Sequence, residues 1–345
     1  MCLNDMGPGH EGGWFMRSKD SLIGRELTLE FVRITEYAAM ASARWWGRGD
    51  KINADDAAVK AMRAMFETVS IDGTVVIGEG EMDEAPMLYI GEKVGNGDGV
   101  RLDIAVDPLE GTNLVAKGLT GAIAVLAAAP HGCLLHAPDM YMEKIAAGPA
   151  AAGKISLQAS VKENVSAVAK SLNKGIEDVT VVVLDRPRHQ KIIDELRVLG
   201  TRIKLISDGD VAPAVATGIP DSGVDLVLGI GGAPEGVLAA AALSCMGGEF
   251  QGRLWPEDER DLKRAAELGV KDVSKILTMD DLVKGDDVIF AATGITDGEI
   301  LQGVRFYGNI ATTHTVVMRK SSGTIRFIDA RHRIDRKKQY VSFSI

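Results

Sequence analysis

The sequence has few cysteines, no long apolar run and no excess of positive charge, and each shortage excludes a class of protein. Only three cysteines occur in 345 residues, Cys2, Cys133 and Cys245, and their wide spacing fits neither a disulfide framework nor a paired zinc motif. No apolar run reaches the roughly 20 residues of a membrane-spanning helix. The formal net charge of −9 disfavours nucleic acid and anionic membranes as partners. We therefore expect a globular protein of the reducing cytoplasm that binds neither.

The first fifteen residues lack the apolar core of a signal peptide. They are rich in glycine and show no hydrophobic periodicity, whereas Met16 begins a more ordinary stretch. We expect residues 1–20 to form a disordered tail without chemistry, and translation to start at Met1 or at Met16.

The composition is that of a soluble globular protein, with 46% hydrophobic and 25% charged residues, and the length allows one or two domains. Apolar strand patterns alternate with helical patterns in the second half of the chain. The strands are predicted at 179–184, 202–206 and 225–230, and the helices at 188–199 and 236–246. This alternation predicts a layered α/β architecture. A Gly-Pro-Ala-rich connector at 148–153 suggests that the chain after the tail divides into two α/β halves, 21–160 and 161–345.

The segment Asp107-Pro108-Leu109-Glu110-Gly111-Thr112 is the most informative in the chain. It follows an alternating run at 100–106 that predicts a β-strand, so Asp107 is expected at the carboxyl end of that strand. One turn would then present Glu110 and Thr112 beside it. Two carboxylates and a hydroxyl suit a hard divalent cation next to an aligned water. The first hypothesis is a metal-assisted phosphatase.

Glu79, Asp107 and Glu235 each follow an apolar strand pattern. In open α/β sheets, ligands bind at the carboxyl ends of strands. Carboxylates gathered there would repel one another and raise their own pKa values unless cations neutralise them. Two or three divalent ions would resolve that conflict. The alternative is that strand order places the three acids on different edges, where they would be ordinary surface residues.

Two further loops have the composition of phosphate or sugar sites. Arg186-Pro187-Arg188 follows the strand at 179–184, and arginine suits phosphate because its planar fork donates two hydrogen bonds. Asp208-Gly209-Asp210 follows the strand at 202–206 and could hold sugar hydroxyls. The alternatives are a charged surface loop and a plain turn.

Other protein classes compete with this hypothesis. A haloacid-dehalogenase-type phosphatase would form an aspartyl phosphate, but its second Asp lies two residues after the nucleophile, whereas Glu110 lies three after Asp107 and Pro108 intervenes. A dinucleotide-binding protein would use the glycine-rich turn at 229–236, but the last glycine of the G-x-G-x-x-G fingerprint falls on Pro234. A third alternative is a sugar-phosphate-binding protein without catalysis.

The strings DPLEGT at 107–112, GEGEMDEAPMLYIGE at 78–92 and GIGGAPEG at 229–236 resemble those of class II fructose-1,6-bisphosphatases of the GlpX type. The resemblance runs from about Arg25 to near the C-terminus. It implies a layered α-β-α-β-α sandwich of the sugar-phosphatase type and, through the D-P-acid-G-T turn, a place among the lithium-sensitive phosphatases.

The resemblance also implies site residues. Thr112 would help to activate the attacking water, and Asp83 and Glu110 would also act in catalysis. The metal ligands would be Asp55, Glu79, Asp107, Glu110 and Glu235. The substrate contacts would be Glu110, Gly111, Thr112, Tyr141, Arg186, Pro187, Arg188, Asp208, Gly209, Asp210 and Gly232.

The implied activity is hydrolysis of the 1-phosphate of fructose 1,6-bisphosphate, in gluconeogenesis and glycerol metabolism, by a homodimer or homotetramer with two or more Mn²⁺ or Mg²⁺ ions. An alternative within the family is a dual enzyme that also accepts sedoheptulose 1,7-bisphosphate.

Overall fold

The computed structural model describes residues 23–80, 86–270 and 272–337. The helices in this part of the chain are α1 (Leu27–Ala43), α2 (Lys51–Phe66), α3 (Thr112–Lys117), α4 (Val161–Leu172), α5 (Gln190–Leu199), α6 (Val211–Ala216), α7 (Ala233–Met246), α8 (Glu259–Glu267) and α9 (Met279–Leu282). The strands are β1 (Ile71–Ile77), β2 (Lys93–Val94), β3 (Val100–Glu110), β4 (Ile123–Pro130), β5 (Tyr141–Ala147), β6 (Thr180–Leu184), β7 (Arg202–Ile206), β8 (Leu226–Gly232), β9 (Glu249–Trp255), β10 (Ile289–Gly294), β11 (Arg305–Tyr307), β12 (Ile310–Arg319) and β13 (Thr324–Arg333).

These strands form two mixed sheets. The large sheet has the order β11-β12-β10-β4-β3-β1-β2, with β13 paired to β12, and only β1 and β3 run parallel in it. The small sheet has the order β7-β6-β8-β5-β9, in which β6 runs parallel to both of its neighbours and β5 antiparallel to both of its own. In each sheet, the carboxyl ends of the parallel strands therefore lie side by side.

Three apolar clusters separate the layers. One packs α1 and α2 on the outer face of the large sheet, a second packs α6 and α7 between the sheets, and a third packs α4 and α5 on the outer face of the small sheet. Helix α7, with the sequence APEGVLAAAALSCM, is apolar on nearly all sides, as a helix between two sheets must be. The order is α-β-α-β-α, so the predicted fold class is confirmed.

The DPLEGT segment differs from the prediction in one respect. Glu110 does not follow a turn after the strand, because β3 continues through it and the pairing with β4 shifts register between Asp107 and Glu110. Pro108 has no N–H for the ladder, which a bulge tolerates. The Leu109 N–H is bound by Asp107 Oδ1 instead, at 3.1 Å. Both acids therefore belong to one strand.

Helix α2 begins at Lys51, four residues before Asp55. Asp50 caps it by accepting a hydrogen bond from the Asn53 N–H at 3.0 Å, so Asp55 lies in the second turn. Strands β10–β13 come from the end of the chain, yet β10 pairs with β4 in the large sheet. The division of the chain near residue 160 stays a prediction. Among the described residues, no helix combines the length and apolarity that crossing a membrane requires.

Candidate active site

A cavity of about 600 Å³ collects loops from both sheets. Of the predicted site residues in the described part of the chain, Pro187 alone does not line it, and Asp83 lies outside the described residues. The lining includes Asp55, Glu79, Asp107, Glu110, Gly111, Thr112, Tyr141, Arg186, Arg188, Asp208, Gly209, Asp210, Gly232 and Glu235. Glu79, Asp107 and Glu235 therefore share one cavity and do not lie on separate edges.

The strand order explains this convergence. Glu79 follows β1, and Asp107 and Glu110 lie at the carboxyl end of the parallel neighbour β3. In the small sheet, the segments after β6 and β7 supply the two arginines and the pair Asp208 and Asp210, and the first turn of α7, directly after β8, supplies Glu235. The first residue of β5, Tyr141, joins them because β5 runs antiparallel to β8. The cavity thus lies where the carboxyl ends of parallel strands meet, as expected for α/β ligand sites.

The carboxyl groups perturb one another strongly. Burial, and then repulsion by Asp55 and Glu235, raises the pKa of Glu79 to about 8, and Asp55 and Glu79 are hydrogen-bonded through their side chains. Burial raises the pKa of Asp107 well above its usual range, and the charges of Glu79 and Glu110 raise it further. Burial, and next the charge of Asp210, raises the pKa of Glu110 to about 8. Burial also raises the pKa of Glu235.

The residues present fit hard divalent cations. The Oε2 atoms of Glu110 and Glu235 are buried without a hydrogen-bond partner in the described part of the chain. The described lining contains ten carboxyl groups and two guanidinium groups. The acids outnumber the guanidinium groups even where a raised pKa leaves some of them protonated, so an anionic substrate would be repelled without added positive charge. Those carboxylates belong to Asp55, Glu79, Asp107, Glu110, Asp139, Asp208, Asp210, Glu235, Glu257 and Asp261. Oxygen donors alone are the ligands that Mg²⁺ and Mn²⁺ prefer.

The described side chains do not by themselves form a complete set of metal ligands. Among the described residues, no group of three or more His, Cys, Asp or Glu side chains could hold a metal ion as it stands. Mg²⁺ is usually held by one or two carboxylates together with water and substrate phosphate, so the pairing of Asp55 with Glu79 is the expected kind of arrangement.

The arginine loop, residues 185–189 between β6 and α5, is fixed against β8 and β5. The Arg188 guanidinium donates to the Ile230 carbonyl from Nη2 at 2.8 Å and from Nε at 3.3 Å. Its Cζ atom lies 4.4 Å from the centre of the Tyr141 ring, a cation–π contact. Arg186 lines the same cavity. Two guanidinium groups and a phenol hydroxyl thus form a cluster of donors suited to phosphate.

The Asp208–Asp210 loop connects the two sheets. Asp208 Oδ2 accepts from the backbone and side-chain N–H groups of Asn113, both at 3.1 Å, which ties the loop to the residue after Thr112. Gly209 has a φ of +75°, and a Cβ there would stand 2.9 Å from Glu110 Oε2, so the glycine is required twice over. The Val211 N–H donates to Glu110 Oε1 at 3.1 Å.

Several cavity residues were not predicted. Asp139, Glu257 and Asp261 line it, and Lys144 lies beneath it, 4% exposed, donating to Asp210 at 2.8 and 3.0 Å. The signal for Lys144 was its place in β5, where alternation sets it among inward-facing residues. A charge at such a position requires a partner. The sequence gives no comparable signal for Glu257 or Asp261, which lie in an exposed, charged segment.

Comparisons with known proteins show what the chain is similar to. Residues 25–332 match the family model described as bacterial fructose-1,6-bisphosphatase, glpX-encoded. The chain is 50% identical over 326 residues to "Fructose-1,6-bisphosphatase 1 class 2" of Escherichia coli strain K12, covering 91% of this chain and 97% of that protein. The same identity and coverage hold for the "Fructose-1,6-bisphosphatase class 2" of Shigella flexneri.

Proposed function

We propose that this chain, a phosphatase that belongs to the glpX-encoded family of bacterial fructose-1,6-bisphosphatases, hydrolyses the 1-phosphate of fructose 1,6-bisphosphate to fructose 6-phosphate and inorganic phosphate. The observation that carries the proposal is one cavity that combines the buried carboxylates with Arg186 and Arg188. A substrate with a phosphate at each end can meet both sets at once.

We assign the reacting phosphate to the carboxylate set. Asp55, Glu79, Asp107, Glu110 and Glu235 would hold two or more Mg²⁺ or Mn²⁺ ions through their oxygens. Such ions, when bound, neutralise phosphate charge and polarise the ester. The raised pKa values of Glu79 and Glu110 mean that these groups release protons when cations bind.

The attacking water is assigned to Thr112 and Glu110. The Thr112 hydroxyl can donate or accept one hydrogen bond while the Glu110 carboxylate accepts another, which orients the water oxygen toward phosphorus. The new bond forms between that oxygen and phosphorus while the bond from phosphorus to O1 of the sugar breaks. One proton of the attacking water ends on O1, which leaves as a hydroxyl of the sugar, and the water oxygen stays on the inorganic phosphate.

The distal phosphate is assigned to Arg186, Arg188 and Tyr141. Arg188 uses two of its five N–H donors on Ile230 and keeps the others for a ligand. The Asp208–Asp210 loop would hold sugar hydroxyls, which carboxylates accept well. We infer further that the chain up to about residue 160 supplies most of the metal ligands, and that the rest supplies Glu235 and the substrate loops.

The test is a phosphate-release assay with fructose 1,6-bisphosphate, sedoheptulose 1,7-bisphosphate and an inositol phosphate, with Mg²⁺, Mn²⁺ or chelator. We expect release from the fructose ester that requires a metal, with fructose 6-phosphate as product. Asp107→Asn should lower the rate by about a thousandfold. The exposed Asp98→Asn is the matched control and should leave the rate unchanged. Retention of near-native turnover by Asp107→Asn in saturating metal would reject the assignment.

Further proposals concern lithium inhibition, the pathway and the assembly. Placement among the lithium-sensitive phosphatases rests on the DPLEGT segment alone, and inhibition by lithium in the same assay tests it. From the family resemblance we also propose that the enzyme acts in gluconeogenesis in the cytoplasm. We propose that it is a homodimer or homotetramer, and light scattering can measure this assembly.

A further inference from the structure

The imidazole of His189 lies fully buried between β6 and β8, at the end of the small sheet that faces the cavity. The two strands pair directly only at Val181–Leu226 and Val182–Val227. Further along, His189 Nδ1 lies 2.7 Å from the Leu184 carbonyl oxygen and Nε2 lies 2.7 Å from the Ile230 nitrogen. The ring thus replaces the direct hydrogen bonds between the strands.

These partners fix the tautomer of the ring. The Leu184 carbonyl can only accept, and the Ile230 N–H can only donate, so Nδ1 carries the hydrogen and Nε2 is an acceptor. A protonated ring would direct an N–H at the Ile230 N–H. Burial lowers the pKa of His189, in agreement with the neutral form. The neutral ring therefore holds the Leu184 carbonyl and the Ile230 N–H at a fixed separation.

The backbone of β8 is shaped for this ring. Gly229 has a φ of +142°, a conformation that residues with a side chain rarely adopt, and a Cβ there would stand 3.1 Å from His189 Nε2. The next residue, Ile230, has its N–H bound by His189 and its carbonyl bound by Arg188. Two consecutive residues of the arginine loop therefore hold both polar groups of one residue of β8.

We propose that His189 is a positioning residue, which holds the arginine loop against β8 so that Arg188 can bind the distal phosphate, and that it thereby sets the preference for a sugar bisphosphate over the corresponding 1-monophosphate. The inference rests on the proposed function. It assigns His189 no contact with the substrate, because the ring is buried and both of its nitrogens are occupied.

The experiment compares His189→Phe with wild type on fructose 1,6-bisphosphate and fructose 1-phosphate in saturating metal. Phenylalanine keeps a ring of similar size and removes both hydrogen bonds. We expect the KM for the bisphosphate to rise about tenfold or more with kcat within about threefold, because binding of the distal phosphate does not change during the reaction. Both constants for the monophosphate should stay within about twofold, since it has no distal phosphate.

A double-mutant cycle tests whether His189 acts through Arg188. If it does, Arg188→Met should raise the bisphosphate KM at least as much, and adding His189→Phe to it should change the KM little further. The control is His332→Phe, which removes another buried imidazole, 6% exposed and outside the cavity lining, and should leave the ratio of the two substrates unchanged.

Three results would overturn the inference: equal losses on both substrates, additive effects of the two variants, or an unchanged bisphosphate KM in His189→Phe. If His189→Phe does not fold, His189→Gln, which can keep one of the two hydrogen bonds, takes its place in the same cycle and is read by the same criteria. Wild-type turnover separates the two proposals, because absence of phosphate release by the wild type rejects the proposed function, whatever the variants do.

Discussion

Replacing Glu110 by glutamine should stabilise the metal-free protein and inactivate the enzyme. Glu110 is 2% exposed, its Oε1 accepts from the Val211 N–H, and its Oε2 has no partner among the described residues. Burial and the charge of Asp210 raise its pKa from 4.5 to about 8. Glutamine keeps the shape and an acceptor oxygen but cannot ionise. The variant therefore removes an ionisable group whose ionised form is disfavoured by burial, without opening a cavity.

The size of the stabilisation depends on pH. Folding raises the pKa of Glu110, so the folded protein holds this proton more tightly than the unfolded chain does. The resulting contribution to the free energy of unfolding is complete below pH 4.5 and is lost as the pH rises through about 8. Each pKa unit corresponds to about 1.4 kcal/mol, so the wild-type carboxyl costs up to about 3 kcal/mol at pH 7 and up to about 5 kcal/mol above pH 8. The gain from glutamine should be small at pH 5 and should grow over this range.

The assay is urea unfolding of chelator-treated wild type and Glu110→Gln at pH 5 and pH 8, together with phosphate release in saturating metal. We expect the free energy of unfolding to rise in the variant at pH 8 only, and turnover to fall by about a thousandfold. The control is Glu177→Gln, an exposed residue outside the cavity lining, which should change the unfolding free energy by less than about 0.5 kcal/mol and leave turnover intact.

Two results would refute this reasoning. An equal stability change at pH 5 and pH 8 would show that ionisation of Glu110 is not the cause. Near-native turnover of the variant in saturating metal would remove Glu110 from the proposed metal ligands and from catalysis.

The remaining predictions concern one residue inside the cavity and one outside it. Thr112→Ser should retain more phosphate-release activity than Thr112→Ala, because serine keeps the hydroxyl; equal activities would remove the proposed role. Burial raises the pKa of Glu36 from 4.5 to about 6. The contribution of its protonation to the free energy of unfolding is therefore complete below pH 4.5 and lost above pH 6. Glu36→Gln should therefore raise the unfolding free energy by up to about 2 kcal/mol at pH 8 but not at pH 4.5, with activity unchanged, and a gain of the same size at both pH values would contradict this.

Strands with strong local patterns were predicted well. The strand at 202–206 has the predicted bounds, and 179–184 differs from Thr180–Leu184 by one residue. Both lie in parallel pairs near short helices, where local alternation and turn residues decide the structure. The bulge in β3 was missed because it depends on pairing with β4, which a local pattern does not contain.

The convergence of the predicted site residues in one cavity was predictable in part from local sequence patterns. Each carboxylate that was singled out by its position after an apolar strand lies near the carboxyl end of β1, β3 or β8. Sequence analysis could not show that the two sheets face their carboxyl ends toward one cavity, because the order of strands depends on contacts far apart in the chain. The family resemblance instead grouped these residues as members of one site.

The residues that hold the site in place were hardest to predict, because their partners are backbone atoms or distant charges. Lys144 at an inward-facing position of β5 implies that some buried carboxylate pairs with it, but Asp210, 66 residues away, could have been any of several acids. His189 pairs with two backbone groups, and every residue has such groups, so no pattern in side chains marks the contact. A sequence therefore indicates the chemistry of this site more readily than its supports, and variants of the supports separate binding from catalysis.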